Sequence, residues 1–181
     1  MTRNTLKLKI LLEQDRRIFK STDLALLWQI ENRNTLLTTI KRYVARGILH
    51  PIKKGLYATV PIEKLHPFEL GCAVCGSLSY VTTETVLQKE GLITQNVPTI
   101  TLMGSKSSKF SFNHHDYFCR YVNSRFLINR IGITDDTKYS IANTGRAVVD
   151  LRHVDPNYYI DNALAEKKLK MNEIKGSVGY S

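Results

Sequence analysis

Apolar residues recur at helical spacing three times within the first fifty positions, and the first interval between them carries the basic pair Arg16-Arg17. Leu6, Leu8, Ile10, Leu11 and Leu12 predict a first helix. Ser21-Thr22-Asp23 supply capping groups for a second helix that runs to about Gln29, with Leu24, Leu27 and Trp28 on its inner face. Ile30-Glu31-Asn32-Arg33 then reads as a short connection. Asn34-Thr35 caps a third helix with Leu36, Leu37, Ile40, Tyr43 and Val44 inward, and Gly47 stops it. Past Gly47 the period becomes strand-like. Ile48-Leu49-His50-Pro51-Ile52 and Leu56-Tyr57-Ala58-Thr59-Val60 flank Lys53-Lys54-Gly55, which predicts a hairpin with a basic tip.

Two short helices joined by a turn, the second polar on its outer face, are what a DNA major groove accommodates. Thr35, Thr38, Thr39, Lys41, Arg42 and Arg46 are expected to face outward, with Arg33 of the connection and Asn34 of the cap beside them as candidate contacts. Threonine reaches base edges or a thymine methyl, while lysine and arginine neutralise phosphates. Lys53 and Lys54 on the hairpin would lie on the adjacent backbone, and Arg16 and Arg17 would add phosphate contacts. Charge sharpens this picture. The chain carries a formal +10, and up to Val60 there are twelve Lys and Arg against four Asp and Glu, whereas the remainder holds fourteen against twelve. An excess confined to one end is an electrostatic footprint; a diffuse excess would speak only to solubility.

The expected fold class is α+β, with a winged helix-turn-helix over 1–62, a mixed α/β domain over 63–173 and a loose tail over 174–181. In the second region the pattern predicts helices from Pro67 to Gly76 and from Thr83 to Glu90, and a strand over Thr99–Leu102. A strand-like stretch follows from Phe110 to Val122, then a strand at Tyr139–Ile141 and helices over Arg146–His153 and Tyr158–Lys170. Gly104-Ser105-Lys106-Ser107-Ser108-Lys109 reads as a hairpin loop, since the Gly-x4-Gly-Lys-Ser/Thr spacing of a phosphate loop is missing.

Several segments resemble the AbiEi family of antitoxins, the DNA-binding partners in type IV toxin-antitoxin and abortive-infection modules of phage defence. They are Lys54-Gly55-Leu56-Tyr57, Pro67-Phe68-Glu69-Leu70, Tyr80-Val81-Thr82-Thr83-Glu84-Thr85-Val86-Leu87 with Glu90-Gly91-Leu92-Ile93, and Ile141 through Leu151. The last is similar to the family's strand, Thr-containing turn and helix ending Asp-Leu, and departs from it at Gly145. The resemblance implies an N-terminal winged helix that represses the module's own promoter. It also implies a C-terminal domain that counters a nucleotidyltransferase-like toxin without a stable complex; apart from the resemblance, that domain could instead be a surface for pairing protomers as a homodimer.

Other chemistry is thinly represented. Three cysteines make no disulfide framework and fit a reducing, cytoplasmic setting. Cys72-Ala73-Val74-Cys75 has the Cys-x2-Cys spacing of half a zinc site, with His114, His115 or Cys119 as further ligands, but it sits in an apolar helix and reads as core. No cofactor or metal is expected, nor a membrane span. No nucleophile with a base stands at convincing spacing, so an enzyme is not expected, and a nuclease built from His114, Asp116 and Asp135 is the weak alternative. Two rival classes stand beside the repressor: a protein that neutralises a toxin by direct binding, and an RNA binder, for which the stacking platform of single-strand readers is missing.

Overall fold

The computed structural model describes residues 3–162 and 171–180. It is a mixed α+β chain with two sheets, and it divides into two compact units, Met1–His66 and Pro67–Ser181.

In the first unit, α1 (Arg3–Leu12) precedes a short strand β1 (Ile18–Lys20), α2 (Ser21–Trp28), α3 (Arg33–Ala45) and a hairpin of β2 (His50–Lys53) and β3 (Leu56–Ala58). β3 lies centrally, antiparallel to both β1 and β2. β1 was outside the sequence expectation because three residues are too few to show a period; Phe19 nonetheless anchors it, fully buried. Caps also differ from expectation. Asn32, one residue before α3, accepts from the N–H groups of Asn34 and Thr35 at 3.0 Å each, so the predicted capping pair is itself inside the helix. α2 begins at Ser21, and the Asp23 carboxylate closes back on the Lys20 N–H at 3.0 Å. Leu11, Phe19, Leu24, Trp28, Leu36, Ile40, Tyr43 and Leu49 form the core, with the Trp28 and Tyr43 rings 5.0 Å apart.

The second unit is built on a six-stranded mixed sheet in the order β6-β7-β5-β4-β9-β8. The strands are β4 (Tyr80–Val81), β5 (Ile100–Gly104), β6 (Ser108–Phe112), β7 (His115–Tyr121), β8 (Ile133–Asp135) and β9 (Ser140–Ala142). Its helices are α4 (Pro67–Cys75), α5 (Glu84–Lys89), α6 (Ser124–Ile128), α7 (Thr144–Val154) and α8 (Met171–Val178). β5 runs parallel to β7, so residues 105–107 cross between strands that do not pair. The hairpin expected there lies instead at Asn113-His114, which join β6 to β7 with φ of 49° and 64°, the left-handed pair of a two-residue turn. His114 is therefore a turn residue, not part of an alternating strand.

Two expectations at the C-terminal end are corrected. Residues 158–162 are not helical, and 163–170 fall outside the described residues. The predicted loose tail is helix α8, which packs on α7, and Tyr180 after it is 5% exposed. This docking explains Gly145: a Cβ there would sit 2.5 Å from Ile174 Cδ1, so the small residue makes room for the helix.

A third correction concerns the cysteines. Cys75 and Cys119 are joined by a disulfide that ties the end of α4 to β7, while Cys72 is buried and free. Burial pushes the Cys72 thiol up to about 11. Sequence spacing draws attention to Cys72 and Cys75 on one helix; the actual partner is 44 residues away.

Candidate nucleic-acid interface

The capped start of α3 leaves one face free of core contacts. Leu36, Thr39, Ile40 and Tyr43 are buried, whereas Arg33, Asn34, Thr35, Leu37, Thr38, Lys41, Arg42 and Arg46 are exposed. Two of these placements reverse the sequence expectation. Thr39 turns inward and donates to the Thr35 carbonyl at 2.8 Å, which satisfies its hydroxyl within the helix. Leu37, expected in the core, is 46% exposed, because Leu36 and Ile40 already fill the inner face.

Beside this face lies a concavity of about 570 Å³ lined by Lys7, residues 29–32, Asn34, Thr35, Thr38, Thr39 and Arg42. Its floor is the turn between α2 and α3, where Gln29 adopts φ 51° and ends α2. The lining mixes amide and hydroxyl groups with two cations and one carboxylate, Glu31, a composition suited to hydrogen bonding along a polyanion backbone.

The hairpin tip is a tight turn. Gly55 has φ 78°, and its carbonyl accepts from the Ser21 N–H at 2.9 Å, which ties the tip to the start of α2. Lys53 and Lys54 are exposed there. Arg16 and Arg17 are placed differently from the rest of the candidate set. Arg16 pairs with Asp23 at 3.2 Å and covers the Phe19 ring, while Arg17 reaches the Lys64 carbonyl at 3.4 Å. Each makes a contact within this unit, and the Arg16 side chain is 46% exposed.

The second unit offers different chemistry. Thr82, Tyr80, Arg146, Asp150 and Tyr180 form a buried polar network. Arg146 is fully buried, and its five N–H groups find five acceptors: Asp150 Oδ1, the Asn129, Ile131 and Phe126 carbonyls, and Tyr80 Oη, at 2.8–3.1 Å. Asp150 in turn accepts from Thr82 and Tyr180 at 2.8 and 2.7 Å. Burial pushes the Tyr80 and Tyr180 hydroxyls far above their ordinary range, and the Asp150 charge adds to it. With every group satisfied, the network is architectural.

A cleft of about 540 Å³ opens on the β5–β7 side, lined among others by Glu84, Thr101, Lys109, Phe118 and Arg120. Arg120 grips Glu84 with two bonds of 2.5 Å and reaches Thr83 Oγ1 at 3.0 Å. Burial raises the Glu84 carboxyl, but the Arg120 and Thr83 bonds outweigh it and hold the group below its ordinary value. Thr83 itself sits at φ 51°, held by Thr101, whose hydroxyl also meets Thr85.

The nuclease alternative finds no site. Asp116 lies on β7 and bonds Ser111; Asp135 lies on β8, four strand positions away or roughly 19 Å, and pairs with Arg130. The zinc alternative fails likewise, since Cys75 and Cys119 bond each other, and among the described residues no group of three or more His, Cys, Asp or Glu is placed to hold a metal ion. Among those residues no helix is long and apolar enough to cross a membrane. No protein-family model matches the chain, and none of the curated proteins is significantly similar to it.

Proposed function

We propose that the chain is a sequence-specific duplex DNA-binding protein that represses transcription from its own promoter. The observation that carries this is the first unit's order of α1, β1, α2, turn, α3 and hairpin, with an exposed polar and basic face on α3 and lysines on the hairpin tip. That order is the one a winged helix uses, and it supports reading α3 as the helix that enters the major groove with the hairpin as its wing. Arg33, Asn34, Thr35, Thr38, Lys41, Arg42, Arg46, Lys53 and Lys54 are the proposed contact set. Thr39 leaves it, because its hydroxyl is satisfied within the helix; Arg16 and Arg17 stay beside it as flanking phosphate contacts.

The resemblance to AbiEi antitoxins extends the proposal. The protein would silence a two-gene module in the cytoplasm, and its second unit would counter a nucleotidyltransferase-like toxin without forming a stable complex. The buried network of Arg146 and Asp150 would hold that unit together without being its working surface.

The test compares binding to DNA from upstream of the gene, to scrambled duplex and to RNA of equal length, across a salt series. A preference of roughly a thousandfold for the upstream DNA is the expected result. Equal binding to all three, abolished by salt, would overturn it. Co-elution with the neighbouring gene's product at moderate salt would favour direct toxin binding instead.

A further inference from the structure

Leu37 is out of place for an apolar residue. It is 46% exposed on a helix that buries Leu36, Ile40 and Tyr43, and it lies on the same outer face as the proposed contact residues. Its helical neighbours at four residues are Arg33 and Lys41 and at three residues Asn34, all exposed and polar, with the buried Ile40 at three residues on the core side. The leucine is thus an apolar group at the border between the core face of α3 and its polar, cationic outer face. It also lies five positions into α3, in the N-terminal part, which is the part of a groove-reading helix that meets base edges.

We infer that Leu37 is a specificity-determining residue that packs against the C5 methyl of a thymine in the major groove. This rests on the DNA reading of α3 and adds to it which base is read and how. The thymine methyl is the one apolar feature among the major-groove base edges, so an exposed leucine flanked on its outer side by hydrogen-bonding groups matches it and no other edge. The polar neighbours then have separate tasks. Asn34 and Thr38 hydrogen-bond adjacent edges, and Arg33 and Lys41 hold phosphates on either side.

The experiment selects preferred duplexes from a random-sequence library with the full-length protein, then replaces each thymine of the selected site by deoxyuridine, which removes only the methyl. One replacement is expected to weaken wild-type binding about four- to tenfold, the range for one buried methyl or methylene. In Leu37→Ala the same replacement is expected to have no effect, while Leu37→Met keeps the sensitivity. Because Leu37 is exposed, both variants are expected to melt with the wild type, and that is checked first. Insensitivity to deoxyuridine at every thymine, or equal sensitivity in wild type and Leu37→Ala, overturns the role of Leu37 while leaving the DNA reading intact. Failure to select any sequence overturns both together.

Discussion

The two units handle charge in opposite ways. In the first, the basic side chains of α3 and the hairpin tip stay in solvent, and the core beneath them is apolar. In the second, an arginine and an aspartate are fully buried and every polar atom on them is matched. Exposed charge contributes little to folding and remains available to a partner. Buried charge is spent on the fold, and losing one member leaves the other stranded. The comparison therefore separates residues by kind: substitutions on the exposed face of α3 should act on binding with little effect on stability, and those in the Arg146 network should do the reverse.

The largest expected effect is at Arg146. Arg146→Ala strands the Asp150 carboxylate and three carbonyls, and it should destabilise the second unit by about 3–5 kcal/mol. Hydrogen exchange should show that loss across β4, α5 and α7, with the amides of α1–α3 unchanged. Loss of protection in both units alike would break the proposed separation. Next comes the Cys75–Cys119 disulfide, which closes a 44-residue separation. On the chain-entropy account, replacing both cysteines by serine should remove up to about 4 kcal/mol. Alkylation of the denatured protein should find one thiol without reductant and three with it.

Tyr180→Phe is a smaller break in the same network. It deletes a 2.7 Å bond to the Asp150 carboxylate and should lower stability by about 1.5–3 kcal/mol, read most clearly as faster exchange in α8. The stacking of His153 on Tyr180, with ring centroids 4.1 Å apart, adds a pH dependence. Burial holds the imidazole below its ordinary 6.5; Asp150 opposes this and Arg125 and Lys175 add to it. A folded value below the unfolded one means that the unfolded chain binds the proton more readily. The contribution is then complete above about pH 6.5 and is lost as pH falls from there through the folded value. Protection of the α8 amides, taken relative to the intrinsic exchange rate at each pH, should accordingly be lower at about pH 5.5 than at about pH 7.5, and the difference should shrink in His153→Phe. Tyr117 supplies the counterexample, as its buried hydroxyl is the one such side-chain atom among the described residues without a hydrogen-bond partner. Tyr117→Phe should therefore leave the melting temperature unchanged or raise it.

Much of the first unit was legible because its information is local. Leu24 and Trp28, then Leu36, Ile40 and Tyr43, mark their helices by spacing alone, and Gly55 marks the turn. Its errors were also local: Asn32 and Asn34 are equally good caps by composition, and Leu36 and Leu37 compete for one inward position that only packing decides. The second unit hid more, because its determinants are distant in sequence. Arg146 and Asp150 show the i, i+4 spacing of an ordinary surface pair, and only the convergence of Tyr80, Thr82, Phe126 and Tyr180 buries them. The glycines of the tail suggest looseness, whereas Ile174 and Tyr180 find partners on α7 that no local pattern reveals.

The smallest effect on stability, and the most telling for function, is expected at Arg42. Its side chain is exposed and borders the concavity beside α3, and its backbone carbonyl accepts the Arg46 N–H in the last turn. Alanine keeps that helical bond, so Arg42→Ala should change stability by no more than about 0.5 kcal/mol. If the guanidinium neutralises one phosphate, its removal should weaken binding to every duplex by a similar factor and reduce the slope of log affinity against log salt by about one. Leu37→Ala should do the opposite, leaving the slope alone and changing the preference among sequences. Arg42 thereby tests anchoring separately from reading. A slope unchanged in Arg42→Ala, with the fold intact, would remove this arginine from the interface and shift the anchoring charge to Lys41 and the hairpin lysines.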